Sequence, residues 1–416
     1  MFNVSYSATI PAALDLVREW HRRAGPCGRL RPPWKRSDLL VGLPVKRSRH
    51  SQQLVPEDDS TEVRDSVEWE LLWELSRVGR YVSAQLDRVF AFRHERARRD
   101  LERHHPATTP TTFAITGSSG LIGSALTSFL RAGGHRVIRL VRDRAQAAGK
   151  DRAFWNPMTG EVDSNLAEAN VVVHLAGRGI ATTPWTKRGR REIKDSRVRS
   201  TETISRALAG MTDGPKTLIS ASAVGYYGDR GAEELDESST KGRGFLGEVT
   251  EEWEKATTLA AGSGMRVVNI RTGVVLTAAG GALPLMLPAF RAGLAGSLGG
   301  GSQWLSWVSL DDVVGAVLHL GTISELEGPV NLVSPGIMQN ASFTRVLAGA
   351  VRRPAFLPVP ALLIKAALGD LGRELLLASQ RVSSARLIED GFEFLDAKLD
   401  RMLRIELGLV RAEAMK

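Results

Sequence analysis

Cysteine is almost absent from this chain. The single Cys27 excludes an internal disulfide and fits a reducing, cytoplasmic compartment. The histidines join no His/Cys/Asp group at metal-ligand spacing, so no metal is expected. Long hydrophobic runs are missing too. The two most apolar stretches, 282–298 and 359–367, are interrupted by Pro284, Pro288, Arg291, Pro360 and Lys365, which argues against membrane insertion. The opening MFNVSYSATIP has no basic segment leading into an apolar core, so no secretory signal is expected. There is no internal repeat. The formal net charge of +9 raises a nucleic-acid partner, but arginine is spread along the whole chain and no nucleic-acid motif accompanies it, so none is expected. What is present is ordinary globular composition, 416 residues with 43% hydrophobic and 24% charged, enough for two or three domains.

The most informative segment is FAITGSSGLIGSAL, from Phe113 to Leu126. It reads as strand, glycine turn and helix: Phe113, Ala114 and Ile115 are apolar, Gly117, Gly120 and Gly123 follow in GxxGxxG spacing, and Leu121, Ile122, Leu126, Phe129 and Leu130 recur at helical intervals. The first glycine permits a tight turn, the second lets backbone approach a pyrophosphate, and the third lets helix pack on strand. Free N–H groups at the helix start then face the anion. Strand and helix context together favour a dinucleotide site over a mere turn.

Downstream, strands alternate with helices, the mark of a parallel sheet. HRVIRLVRD, ANVVVHLAG, TLISASAVG and RVVNIRTGVVL are the next strands, and RAFWNPMTGEVD, with its Pro157–Gly160 turn, is expected to form a small hairpin. From about Leu332 the chain reads as mostly helical. Upstream, SQQLVPE and EVRDSVEWELLW look like strands meeting at a turn. Val82, Leu86, Val89, Phe90, Ala97 and Leu101 then trace an amphipathic helix whose arginine-rich end is expected to be solvated. The expected division is 1–104, a linker at 105–112 (within HHPATTPTT), 113–331 and 332–416.

An NAD site places a carboxylate at the end of the second strand, where it accepts from the ribose hydroxyls. Here Val141 takes that position and Arg142 follows; an arginine offers a fork to a 2′-phosphate that a carboxylate would repel. This favours NADP(H), with NAD(H) as the alternative because Asp143 could still reach the ribose.

These segments resemble the extended short-chain dehydrogenase/reductases of the epimerase/dehydratase type. The resemblance rests on Thr116–Gly123, HLAG at His174–Gly177, SASAVGYYG at Ser220–Gly228, RTGVVL at Arg271–Leu276 and SWVSLDD at Ser306–Asp312. WTKRGRREIKDSRVRST, FLGEVTEEWE and LLLASQRVSSARLIEDGFEF narrow it to an atypical, epimerase-like branch with a C-terminal helical domain. REWHRRAGP, LRPPW, a strand pair and a long helix make the N-terminal part similar to a shortened START/Bet v 1-type domain. The resemblance implies an α/β, Rossmann-type doubly wound sheet preceded by a small α+β domain. It implies cofactor contacts at Gly117, Ser118, Ser119, Gly120, Leu121, Ile122, Gly123, Arg142, Leu175, Ala176, Gly177, Arg197, Thr272 and Gly273.

The family works through a serine and a Tyr-x-x-x-Lys pair, in which the lysine lowers the tyrosine pKa. Ser222 matches the serine. No Tyr-x-x-x-Lys occurs anywhere; Phe245 or Leu246 stands for the tyrosine and Val249 or Thr250 for the lysine. Arg197 stands where the family carries a structural asparagine. Tyr226 and Tyr227 are the substitute acid/base candidates, although packing beside the strand end is the preferred reading of both. Lys187 and Arg188 are read as solvated, Glu248, Glu251 and Glu252 as exposed helix charges, and His174 as structural. Asp311 and Asp312 are expected to cap the following helix. Trp34, Trp69 and Trp73 either line an apolar cavity or form an ordinary core, the latter preferred. The expected function is an NADP(H)-dependent oxidoreductase- or epimerase-like protein acting on an unknown small molecule. The alternative is a non-catalytic nucleotide-sensing or partner-binding module, and a homodimer is left open.

Overall fold

The computed structural model describes residues 2–33, 45–71, 76–104 and 109–410. Trp34, Trp73 and residues 105–108 of the expected linker lie outside the described residues. The chain divides into two compact units: residues 1–108 with 128–134 and 401–416, and residues 109–127 with 135–400.

In the first unit, strand β1 (Phe2–Ile10) is followed by helices α1 (Leu14–Arg22) and α2 (Pro26–Arg29), strands β2 (Val45–Glu57) and β3 (Ser60–Leu71), and the long helix α3 (Ser76–Arg103). The sheet order is β1-β3-β2, antiparallel throughout. Val82, Leu86 and Phe90 of α3 pack on Tyr6, Val67 and Trp69, which places Trp69 in an ordinary core. The basic end of α3 corrects the solvated-face expectation. Arg99 and Arg96 are buried, Arg99 pairing with Glu95 (2.7 Å) and Arg96 with Glu406 (3.5 Å), while Asp100 takes Arg29 (2.6 Å). Arginines and carboxylates alternate at helical spacing, so the face neutralises itself instead of needing water.

The second unit is built on seven parallel strands: β4 (Thr112–Thr116), β5 (Arg136–Val141), β6 (Arg152–Phe154), β7 (Val171–His174), β8 (Thr217–Ala223), β9 (Arg266–Thr272) and β10 (Gly328–Leu332). Their order is β10-β9-β8-β7-β4-β5-β6, and every neighbouring pair is parallel. The order reverses between β4 and β7, so a crevice opens at the carboxyl ends of those two strands. Helices α4 (Leu121–Ala132), α5 (Lys187–Ala209) and α6 (Phe245–Lys255) follow β4, β7 and β8. Ala114, Val172, Leu218 and Val267 pack against Ile204 and Leu208 of α5, and Phe113 faces Gly321 of the helix Leu310–Thr322. Both sheet faces are thus covered, as continuous apolar strands such as Val171–Val173 require.

Local expectations were refined in three places. Arg152–Phe154 joins the sheet edge parallel to β5, and only Trp155↔Val162 closes the expected hairpin. RVVNIRTGVVL breaks at Gly273, because the Ser306 carbonyl approaches to 2.7 Å of where a side chain would begin. Ser309, not Asp311 or Asp312, caps the helix Leu310–Thr322, its hydroxyl accepting from the Asp312 N–H at 3.0 Å. The Asp312 carboxylate instead accepts the Leu395 and Asp396 N–H groups (2.9 and 3.1 Å). Among the described residues, no helix is long and apolar enough to cross a membrane.

Candidate functional site

β4 delivers the chain to Gly117, whose φ of +66° only glycine adopts without strain. A side chain there would press on the Leu175 carbonyl, and one at Gly123 would collide with the Gly117 carbonyl. Both glycines therefore let the turn, α4 and the β7 loop come together. Gly120 is different: its only close neighbour is the Gly117 carbonyl, at 3.3 Å from a would-be side chain, and it is exposed together with Ser119. Ser118 is buried, and Leu121 and Ile122 are half-buried. The turn is closed inside by glycine and open outside, at the N-terminus of a 12-residue helix. Such a turn has the geometry to receive a phosphate pair.

Thr116 and His174 lock this turn to β7. The Thr116 hydroxyl accepts the Leu175 and Ala176 N–H groups (3.0 and 3.3 Å), so its own proton goes to His174 Nδ1 at 2.9 Å. The imidazole is therefore the neutral tautomer that donates from Nε2 to Ser200 Oγ at 3.3 Å. Burial pushes its pKa down to about 3, in keeping with a structural role.

At the end of β5, Arg142 is exposed and has no ion-pair partner among the described residues. Asp143 is committed: one carboxylate oxygen accepts from the Ala145 N–H and the other from Gln146 Nε2, both at 3.0 Å. Arg144 is also committed, to Glu161 and to the Phe154 ring. Of Arg142, Asp143 and Arg144, Arg142 alone stands free among the described residues.

On the other side of the switch point, Leu175 and Ala176 are half-buried and Gly177 is exposed. The Arg197 guanidinium lies against Gly177 (3.4 Å from where its side chain would begin) and over the Trp253 ring at 5.0 Å. Arg197 is 7% exposed, and among the described residues its guanidinium makes one hydrogen bond, to the Ile193 carbonyl of its own helix. No carboxylate lies within 4 Å among the described residues, and Nε is buried without a partner. Burial pulls its pKa down to about 10. Lys187 and Arg188 are exposed. Thr272 ends β9 and Gly273 follows it, separated from the glycine turn by β7 and β8.

Ser222 is buried and donates to Glu254 at 2.6 Å. Glu254 in turn takes both arms of Arg271, each at 2.8 Å. Arg271 also donates to the Tyr227 hydroxyl (3.0 Å), which donates to Asn331 (2.7 Å), and lies 3.6 Å over the Tyr226 ring. Tyr227 is fully buried, and burial lifts its pKa to about 12 against the pull of Arg271 and Asn331. This burial and pairing favour the packing reading preferred for Tyr227. Tyr226 is half-buried and serves as a platform for Arg271. Sequence reasoning passed over Glu254. The signal was Arg271, a cation in the buried interior of a sheet strand, which requires a buried carboxylate.

Glu374 was missed as well. It accepts the Phe245 and Leu246 N–H groups (3.2 and 2.9 Å) and so caps α6, in the place where the tyrosine is expected. Thr250, one turn on, is buried and gives its hydroxyl to the Leu246 carbonyl. Beside them lies a cavity of about 430 Å³ bordered by Gly225, Gly228, Arg243, Gly244, Leu246 and Glu374.

Residues 113–332 match the NAD dependent epimerase/dehydratase family, and residues 359–405 match a domain of unknown function, DUF1731. An epimerase family protein of Mycobacterium bovis is 46% identical over 282 residues, covering 68% of this chain and 92% of that protein. The structure of a nucleoside-diphosphate sugar epimerase from Corynebacterium glutamicum is similar with a TM-score of 0.80 and 31% identity, over 98% of this chain and 91% of that one. The structure of human epimerase family protein SDR39U1 (isoform 2) with NADPH is similar with a TM-score of 0.66 and 30% identity, over 72% of this chain and 100% of that one.

Proposed function

The chain belongs to the NAD dependent epimerase/dehydratase family, and from that premise we propose that it binds NADP(H) and acts as an oxidoreductase- or epimerase-like protein on a small molecule. The observation that carries the NADP(H) reading is the contrast at the end of β5. Arg142 is free to take a 2′-phosphate, whereas Asp143 is already spent on Ala145 and Gln146. The binding of NADPH by human SDR39U1 supports the same choice.

The cofactor, when bound, supplies hydride exchange with a substrate carbon. The chain's own residues bind and orient. The backbone at Gly117–Gly123 and the start of α4 hold the pyrophosphate, and Leu175, Ala176 and Gly177 wall the crevice beyond it. The cavity beside Leu246 is where the small molecule sits, with exposed Arg243 at its rim. We also read the N-terminal unit, a long helix laid on a three-stranded sheet, as a shortened START/Bet v 1-like fold.

One observation favours a second reading, a nucleotide-sensing or partner-binding module. The Ser222 proton is given to Glu254, and Phe245 or Leu246 and Val249 or Thr250 stand where the acid/base pair is expected, so the chain has no Tyr-x-x-x-Lys pair to move a proton. Equilibrium titration with NADPH and NADH, followed by a carbonyl-substrate screen, separates the two. Binding with turnover abolished by Ser222→Ala supports the enzyme, and binding without turnover supports the sensor. Failure to bind either nucleotide rejects both.

A further inference from the structure

Two arginines flank the crevice, and they differ. Arg142 stands exposed at the end of β5, on one side of the switch point. Arg197 is buried beside Gly177, at the end of β7 on the other side. A dinucleotide laid across the strand ends, with its 2′-phosphate at Arg142, brings its nicotinamide half towards β7. A buried guanidinium without a carboxylate is costly, and an apoprotein gains nothing from it. Trp253 supports its flat face at 5.0 Å and leaves the charge uncompensated.

We infer that Arg197 makes this site selective for the redox state of its cofactor, favouring the reduced, uncharged nicotinamide ring over the oxidised, cationic one. The inference rests on the NADP(H) reading above and deepens it. The two phosphates attract Arg197 equally in both forms, so their contribution cancels in the ratio of affinities. What remains is repulsion between the guanidinium and the positive ring of NADP⁺. Two like charges within about 10 Å of each other, in an effective dielectric of about 20, change a binding ratio by roughly tenfold. Because the site lacks the Tyr and Lys side chains, such selectivity lets it report the reduced fraction of the pool even if turnover is slow.

The test is a set of equilibrium titrations of the full chain with NADPH, NADP⁺ and adenosine 2′,5′-bisphosphate, which carries the 2′-phosphate and no nicotinamide. Wild type is expected to bind NADPH about tenfold more tightly than NADP⁺. Arg197→Met is expected to bring the ratio near one while leaving the bisphosphate affinity within about twofold, and Arg197→Lys to restore the preference. Arg197→Gln, which keeps most of the length and drops the charge, serves if the methionine variant does not fold. An unchanged ratio in either neutral variant, or no preference in wild type, overturns the inference while the bisphosphate still binds. Loss of bisphosphate binding in wild type rejects the NADP(H) reading itself.

Discussion

Replacing Glu254 by glutamine keeps the side-chain shape and removes the only carboxylate within 4 Å of Arg271 among the described residues. Arg271 is 3% exposed and cannot reach water, so the variant strands a charge that two 2.8 Å hydrogen bonds now satisfy. Breaking a buried pair from one side costs about 3–5 kcal/mol. Whole domains have only about 5–15 kcal/mol to lose. At roughly 2–4 °C per kcal/mol, the transition that contains residues 135–400 falls by about 10 °C. The double variant Glu254→Gln/Arg271→Met removes both charges and is expected to recover much of that loss, because buried pairs exchange for neutral groups at little cost. Thermal unfolding of the two single variants and the double gives the coupling directly. A Glu254→Gln midpoint within about 1 °C of wild type would refute the structural assignment, and additivity of the two singles would do the same. Turnover lost at unchanged stability would instead make Glu254 a base acting on Ser222.

Three further outcomes follow from the same geometry. Gly120→Val places its side chain on the open face of the turn, so the protein should fold while NADPH affinity drops tenfold or more, roughly the value of a charge-assisted hydrogen bond; undiminished binding would rule out the cradle. Arg142→Glu should weaken NADPH by roughly ten- to a hundredfold and leave NADH within a few-fold, and an equal loss for both would remove the 2′-phosphate assignment. His174 is held neutral in the folded chain with a pKa of about 3, against about 6.5 when unfolded. The unfolded chain therefore binds the proton first, so this contribution is complete above pH 6.5 and is lost as pH falls towards 3, at up to about 1.4 kcal/mol per pH unit. Urea midpoints of wild type and His174→Gln between pH 7.5 and 4.5 check the sign; parallel slopes would contradict it.

The glycine turn, the parallel sheet and the strand pair of the first unit were legible because each is written in local order: apolar periodicity, glycine spacing and turn residues. The place of Arg142 just past the end of a strand was legible for the same reason. What could not be read was pairing across distance. Nothing near Arg271 in sequence announces Glu254 on the preceding helix, and nothing near Leu246 announces Glu374, more than a hundred residues on. The arginines of α3 misled for a related reason: a helix face rich in charge looks solvated until its carboxylates are counted at the same spacing. Asp312 shows the limit from the other side, since a local cap was expected and its carboxylate was taken instead by Leu395 and Asp396.

The first turn of α6 is where the chemistry of this chain departs most from its family, and the departure is internally complete. Glu374 satisfies the two N–H groups that open the helix, Leu246 packs over Gly225, and Thr250 returns its hydroxyl to the backbone. None of these groups waits for a partner, so the missing pair is not an empty socket that a ligand would fill. A lysine at 250 would bury a second cation on the helix where Trp253 already carries Arg197. On this side of the crevice the buried cation is Arg197 of α5, held over Trp253 of α6. On the proposed NADP(H) reading Arg197 is the cation that faces the cofactor from this side, and the cavity beside Leu246 admits the water that can supply a proton.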